Sequence, residues 1–172
     1  MMDSINRFIE IVRMRHTPWT EVDFAALAEA LGYTQGESKS NNTYSYLTFM
    51  NKAGQLAAYM ASMDGLVRTF DILACHAEVV GCQGEWGRAE SLKKYHDIIA
   101  IVQAELGDPK FSGGPLDPGC PPYSPQARIT AWQFSWGWLT VYWDDEDELG
   151  PTVVGLSINL SDWAGPNPGA LP

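Results

Sequence analysis

The residues best equipped for chemistry lie in one stretch, "AWQFSWGWLTVYWDDEDELG", residues 131–150. It holds four of the seven tryptophans within twelve positions, followed by five consecutive acids at 144–148. Such carboxylates could act as general acids and bases, ligate a metal ion, or form an acidic surface for a basic partner. A fourth alternative is a core strand followed by a solvated turn whose charges discourage aggregation.

The spacing of these acids argues against catalysis and metal binding. A calcium loop needs ligands at alternating positions with a glycine at its sharp turn, whereas "DDEDELG" is contiguous. Adjacent carboxylates at the end of a strand also point in different directions. The chain contains no P-loop, dinucleotide-binding glycine motif, G-x-S-x-G or H-E-x-x-H. We therefore predict no catalytic residue, no metal site and no cofactor.

Three cysteines, Cys75, Cys82 and Cys120, have no disulfide framework spacing, which favours reduced thiols in a reducing compartment. His76 beside Cys75 invites a zinc or Cys–His interpretation, but the spacing to Cys82 matches no C-x2-C pattern. A cysteine-dependent hydrolase stays as the alternative from the enzyme class. It requires Cys75 or Cys120 to have a thiol pKa well below the usual value of about 8.5.

The charge is strongly acidic and unevenly distributed. The chain has 21 acids and 11 bases, a net charge of -10. Residues 1–128 contain 15 of the acids and all 11 bases, whereas residues 129–172 contain six acids and no base. Nucleic acids and anionic membranes select for Lys and Arg, so neither is expected as a partner. The N-terminus has no long apolar segment, and we expect a cytoplasmic protein.

At 172 residues, a single domain spanning 1–172 is expected. Apolar residues at helical spacing predict helices over 4–15 and from Thr17-Pro18 to Gly32. Further helices are predicted from "DGLVRTFDILACHAEVVG", ending at Gly81, and from "RAESLKKYHDIIAIVQAELGDP". Residues 33–42 are predicted to be a polar loop. For 43–62 the spacing favours helix, with a hairpin of strands 43–50 and 55–62 around "NKAG" as the alternative.

The last third of the chain changes pattern. Residues 107–127 hold six prolines and four glycines, which predicts a long irregular connection. Period-two alternation then predicts strands over 128–134, 138–143 and 152–160, and a mobile tail over 161–172 in which Trp163 could be an anchor. The expected fold is α+β: an N-terminal helical layer, about 4–106, packed on a C-terminal antiparallel β-meander, about 128–160.

The tryptophans allow two interpretations. Most of them could fill the core, or at least two could be exposed for recognition. Which side chains share a face depends on whether "SWGW" is a turn, because a turn would reset the strand parity.

A small acidic α+β chain with Trp-rich strands resembles the immunity proteins of bacterial polymorphic-toxin, contact-dependent and type VI secretion systems. The residues that carry the resemblance are "WQFSWGWLTVYWDDEDE" and "GPTVVGLSINL", within 128–160. It implies a protein that binds one cognate secreted toxin, often a nuclease, and blocks its active or substrate-binding surface. Other members of the binding class fit the same features, namely a phage-encoded inhibitor of a bacterial defence complex and a secretion chaperone.

An acidic inhibitor could compete for the basic surface with which a nuclease toxin holds phosphates. Trp and Tyr are enriched at binding hot spots, and acids accelerate encounter with a cationic protein. We therefore predict a partner-binding surface formed by Trp138, Tyr142, Trp143, Asp144, Asp145, Glu146, Asp147 and Glu148.

Overall fold

A computed structural model describes residues 2–40, 43–63, 66–76, 85–121, 128–144 and 153–160. Within these residues the chain forms an α+β fold with three helices and eight strands. The helices are α1 (Met2–Met14), α2 (Glu21–Ala30) and α3 (Glu85–Leu106). The strands are β1 (Thr34–Ser40), β2 (Tyr44–Met50), β3 (Leu56–Met63), β4 (Leu66–His76), β5 (Phe111–Gly113), β6 (Arg128–Phe134), β7 (Gly137–Asp144) and β8 (Val153–Leu160).

All eight strands belong to one antiparallel sheet with the order β1-β2-β3-β4-β8-β7-β6-β5. Two runs of four sequential strands therefore meet at the pairing of β4 with β8. Helix α3 lies between the two runs in sequence and returns the chain to the far edge at β5. Strand β8, the last of the described strands, thus lies at the centre of the sheet.

Local sequence signals account for the positions of the helices. Apolar residues of α1 at i, i+3, i+4 and i+7 are buried: Ile5, Phe8, Ile9 and Val12. Helix α2 begins after Thr20, whose side chain accepts from the backbone N–H of Asp23 while Asp23 accepts from that of Thr20. The helices predicted at 4–15 and near 17–32 are confirmed, although the capping box starts α2 at Glu21, after Pro18.

The main core lies between the helices and one face of the sheet, called here the helix face. Phe70 of β4 is fully buried, stacks on Phe24 of α2 with centroids 5.2 Å apart, and meets Phe49 of β2. From α3, Tyr95, Ile98 and Val102 join the same cluster, and β8 adds Val154, Leu156 and Ile158. Each of these strand residues alternates with a residue on the opposite face.

The helical layer predicted over about 4–106 is wrong in its middle part. Residues 34–40, predicted to be loop, form β1, an edge strand in which every residue is exposed. Residues 43–62 form the β2–β3 hairpin, so the favoured helix is wrong and the alternative is confirmed. The helix predicted over 64–81 is also wrong, because 66–76 form β4, while its proposed end at Gly81 lies outside the described residues.

Side-chain hydrogen bonds explain the hairpin. Asn51 Oδ1 accepts from the backbone N–H groups of Ala53 and Gln55, at 2.9 and 3.0 Å. The backbone N–H of Asn51 donates to Gln55 O, and Gly54 takes a positive φ of 74°. This turn outweighs the near-helical spacing of the apolar residues around it.

The remaining elements follow the sequence pattern closely. Helix α3 and strands β6, β7 and β8 are confirmed, with bounds that differ from those predicted by a few residues at most. The connection over 107–127 is irregular where it is described, apart from the three-residue strand β5. The tail at 161–172, including Trp163, lies outside the described residues. None of the described helices is long and apolar enough to cross a membrane.

Candidate functional site

Strand β7 places the predicted binding residues on two different faces of the sheet. Trp138, Tyr142 and Asp144 alternate with Leu139 and Val141, which belong to the helix-face core. Trp143 lies on the helix face, five residues from Trp138 and so about 17 Å away along the strand. The structure therefore does not bring the two tryptophans together. Asp145, Glu146, Asp147 and Glu148 lie outside the described residues.

Trp143 is partly buried and held at both ends of its side chain. Its Nε1 donates to Ser91 Oγ on α3 at 2.9 Å, and the Arg128 guanidinium lies 5.8 Å from its ring centroid. Arg128 is also the cross-strand neighbour of Trp143. The indole is therefore fixed in one orientation where β7 ends.

Tyr142 is buried, with 3% of its surface exposed, and so is not accessible to a partner in this conformation. Its ring covers Gly155, the residue opposite it on β8. A Cβ atom at position 155 would overlap the Tyr142 hydroxyl, which explains the need for glycine at this close approach. Of the predicted binding residues that the structure describes, Trp138, Trp143 and Asp144 remain partly exposed.

The other tryptophans whose side chains the structure describes belong to the core. Trp19, Trp132 and Trp136 are each 5% exposed or less. Ser135 and Trp136 form the turn between β6 and β7, since Phe134 pairs with Gly137. Because "SWGW" contains this turn, Trp132 faces the helices while Trp138 packs on the opposite face beside Phe111, Ile129 and Ala131.

A buried polar cluster on the opposite face adjoins Tyr142. Asp71 of β4 is 4% exposed and accepts hydrogen bonds from Ser157, Thr69 and Tyr59. Tyr59 in turn accepts from the Tyr142 hydroxyl. A chain of hydroxyl groups therefore runs from the buried Tyr142 through the partly buried Tyr59 to the carboxylate of Asp71.

Burial dominates the acid–base properties of this cluster. Loss of hydration raises the pKa of Asp71 to about 7, against the opposing effect of its three hydroxyl donors. Burial also raises the pKa of the Tyr59 and Tyr142 phenols, and the charges of Asp71 and Asp144 raise both further. Asp71 therefore exchanges its proton near neutral pH while both phenols stay protonated.

Because residues 64–81 are predicted to form a helix, the sequence prediction does not include this cluster. Interpreted as a strand, "RTFDILAC" alternates apolar Phe70 and Ile72 with Thr69, Asp71 and Leu73. An acid at an alternating position inside an apolar run is a detectable signal for a buried carboxylate. The cluster members Tyr59, Tyr142 and Ser157 come from three other strands, so no local pattern could identify them.

Cys120 does not have the properties of an activated nucleophile. Its thiol is partly buried and free, and burial together with the nearby charge of Asp117 raises its pKa. The side chains of Cys75 and His76 and the whole of Cys82 lie outside the described part of the molecule. In the described part of the chain, no group of three or more His, Cys, Asp or Glu residues could hold a metal ion.

Comparisons with protein-family models, with curated protein sequences and with solved structures find no match to this chain.

Proposed function

We propose that this protein is an immunity-type inhibitor that binds a basic secreted toxin through the acidic segment Asp144–Glu148. The proposal rests on one observation, namely that the C-terminal quarter of the chain carries only negative charges. Residues 129–172 hold six acids and no base, and five of these acids begin where β7 ends. Clustered acids raise the encounter rate with a cationic protein and oppose binding to polyanions.

The fold supports this proposal by anchoring the first acid to a rigid element. β7 is hydrogen-bonded to β6 on one side and β8 on the other, and Asp144 pairs with Val153. A strand with neighbours on both sides holds its end in a fixed position, which reduces the entropy that association would otherwise cost. The start of the acidic segment is thereby preorganised.

The supported binding surface is narrower than the one predicted from sequence. It comprises the acids with Trp143 as the aromatic neighbour in the sequence, because Tyr142 is buried and Trp138 lies six residues before Asp144, about 20 Å away along the strand. Trp143 is already fixed by Ser91 and Arg128, so a partner could contact its remaining exposed surface without ordering it. The acids would raise the rate of encounter with the partner, and the indole of Trp143 would supply contact area.

Co-expression with the protein encoded by the neighbouring gene tests the proposal. We expect that protein to stop growth alone, this chain to restore growth, and the two purified proteins to form a stable complex. An equally abundant variant with Phe70→Ala, which disrupts the core, serves as the control that fails to protect. A neighbouring protein that is harmless, or toxic without forming a complex, would contradict the proposal.

A further inference from the structure

A cleft of about 460 Å³ lies between α3 and the β5–β6 edge of the sheet. Helix α3 lines it with Tyr95, His96 and Ile99, and the strands line it with Ser112, Arg128 and Thr130. Its volume falls within the range of about 300–1,000 Å³ that is usual for sites of small organic ligands. The cleft lies on the helix face, whereas the Asp71 cluster lies on the opposite face, and its Arg128 adjoins Trp143 near the end of β7.

The charge of this cleft is opposite to that of the whole chain. None of the ten described lining residues is an acid, although acids outnumber bases by 21 to 11 in the sequence. The lining includes one guanidinium, at Arg128, and one imidazole, at His96, both on exposed residues. An anion entering the cleft would therefore meet donors and positive charge on the lining side chains. The Asp117 carboxylate lies beside Gly113 and Gly114, where its Oδ2 accepts from the Gly114 backbone N–H at 2.7 Å.

Arg128 is held in place without being neutralised. Its guanidinium lies over the Trp143 ring, 5.8 Å from the centroid, which restricts the long side chain. No carboxylate among the described residues forms an ion pair with it, whereas Arg13 and Arg15 pair with Glu105 and Asp23. Its five N–H groups can therefore bind an external oxyanion in the two-pronged geometry that planar guanidinium favours.

Three hydroxyl groups form a connected chain beside Arg128. Thr130 Oγ1 lies 2.9 Å from Tyr95 Oη and 3.0 Å from Ser112 Oγ. The three hydroxyl groups carry three protons, and the two hydrogen bonds between them use two of these protons. One O–H is therefore left to donate outward. Tyr95 and Thr130 are buried and Ser112 is exposed, so the Ser112 end faces solvent and a ligand.

We propose that this cleft binds the carboxylate or phosphate group of a small organic anion. Arg128 supplies charge and two parallel N–H donors, and Ser112 donates the proton that remains in the hydroxyl chain. An anion at Ser112 fixes the direction Tyr95 to Thr130 to Ser112 to ligand, so each hydroxyl donates once. Ile99 and Pro109 offer apolar contact to the organic part.

An NMR titration of the 15N-labelled full chain tests this site with three probes: benzoate, benzamide and inorganic phosphate. We expect an anion, but not neutral benzamide, to shift the amide signals of Ser112, Thr130 and Arg128. Shifts with benzoate alone support the site and assign it to carboxylates, and shifts with phosphate alone support it and assign it to phosphates. The proposal is overturned if neither anion shifts these signals, or if benzamide shifts them as strongly.

Matched variants separate the site from general charge. Arg128→Gln should weaken binding by at least about tenfold, as expected for loss of charge-assisted hydrogen bonds. Ser112→Ala changes an exposed side chain and should weaken it several-fold with the fold intact. Arg7→Gln removes an equal charge from exposed α1 and should leave the affinity unchanged. Equal weakening by Arg7→Gln and Arg128→Gln would show non-specific attraction and reject the site. Because Arg128 also lies over Trp143 of the proposed toxin-binding surface, the probe titrations and Ser112→Ala are the results that are independent of toxin binding.

Discussion

On the helix face of the sheet, Phe70, Leu156 and Ile158 are fully buried against apolar side chains of the helices. On the opposite face, their sequence neighbours Asp71 and Ser157 are nearly as buried, yet they satisfy one another through hydrogen bonds. One face is stabilised by contact area, which tolerates little loss of volume. The other depends on a polar network, which tolerates little loss of a partner.

This contrast separates residues that stabilise the fold by packing from residues whose side chains could exchange a proton. Burial of Phe70 against Phe24 has a direct energetic benefit and requires no further explanation. Burial of a carboxylate has a cost that its hydrogen bonds only partly offset, and here it leaves Asp71 with a pKa near neutrality. The opposite face also carries Asp144, where the acidic segment begins. Three sets of variants test the difference between the faces.

The largest effect is expected on the helix face. Phe70→Ala should lower the free energy of unfolding by about 3–5 kcal/mol, because it leaves a cavity between Phe24 and Phe49. Urea denaturation measures this directly. Val22→Ala, at a position that is 77% exposed on α2, is the control and should change stability by less than about 0.5 kcal/mol. Similar losses for both variants would contradict the assigned core.

Asp71→Asn should remove a pH dependence of stability. Folding raises the pKa of Asp71 from 3.8 to about 7, so between these values the folded chain binds more protons than the unfolded chain. The contribution of Asp71 is therefore complete below about pH 4 and is lost as pH rises to about 7. The wild type should lose up to about 1.4 kcal/mol per pH unit relative to the variant.

Urea denaturation of both proteins at pH 4, 5.5, 7 and 8.5 tests this difference. Glu90→Gln, at an exposed position on α3, should retain the wild-type profile. Parallel curves for wild type and Asp71→Asn, or a wild type that gains relative stability as pH rises, would show that Asp71 is not buried as described.

Two tyrosine variants should differ in the polar network. Tyr142→Phe removes one donor and should cost about 1 kcal/mol. Tyr59→Phe should cost about 2 kcal/mol, because Asp71 loses a donor and Tyr142 loses its acceptor. Thermal or urea denaturation of both variants and the double variant gives the coupling. Additive effects, or a greater loss at Tyr142, would contradict the order Tyr142 to Tyr59 to Asp71.

The sequence predicted the elements whose apolar pattern is local and unbroken. In α3 and β8 the spacing of apolar residues agrees with the turn and capping signals, so both appear where expected. In β1, by contrast, all seven residues are exposed at a sheet edge, so hydrophobic periodicity is absent. In β3 and β4, bulges break the alternation and allow a helical spacing to coincide with strands.

The sites were less predictable than the fold class. The consecutive acids after β7 can be recognised in the sequence. The burial of Tyr142 cannot, because it follows from a contact with Gly155 on another strand. The cleft around Arg128 likewise combines α3, β5 and β6, and its hydroxyl chain joins residues up to 35 positions apart. Such arrangements arise from long-range pairing, which no sequence window contains.

The contribution of the proposed binding surface can be separated from that of net charge by making the same charge change elsewhere in the chain. One variant replaces the five acids of 144–148 with Asn and Gln. Its control replaces five exposed acids outside this segment, namely Glu10, Glu21, Glu29, Glu37 and Glu90. Both variants change the net charge from -10 to -5. A difference between them therefore reports position and not total charge.

The association rate of each variant with the purified neighbouring-gene protein, measured at low and high salt, tests the central claim most directly. We expect the 144–148 variant to associate about tenfold more slowly at low salt and with a flatter salt dependence. The control should stay close to the wild type. Equal rates for the two variants would place the interface away from the end of β7 and contradict the proposed binding surface.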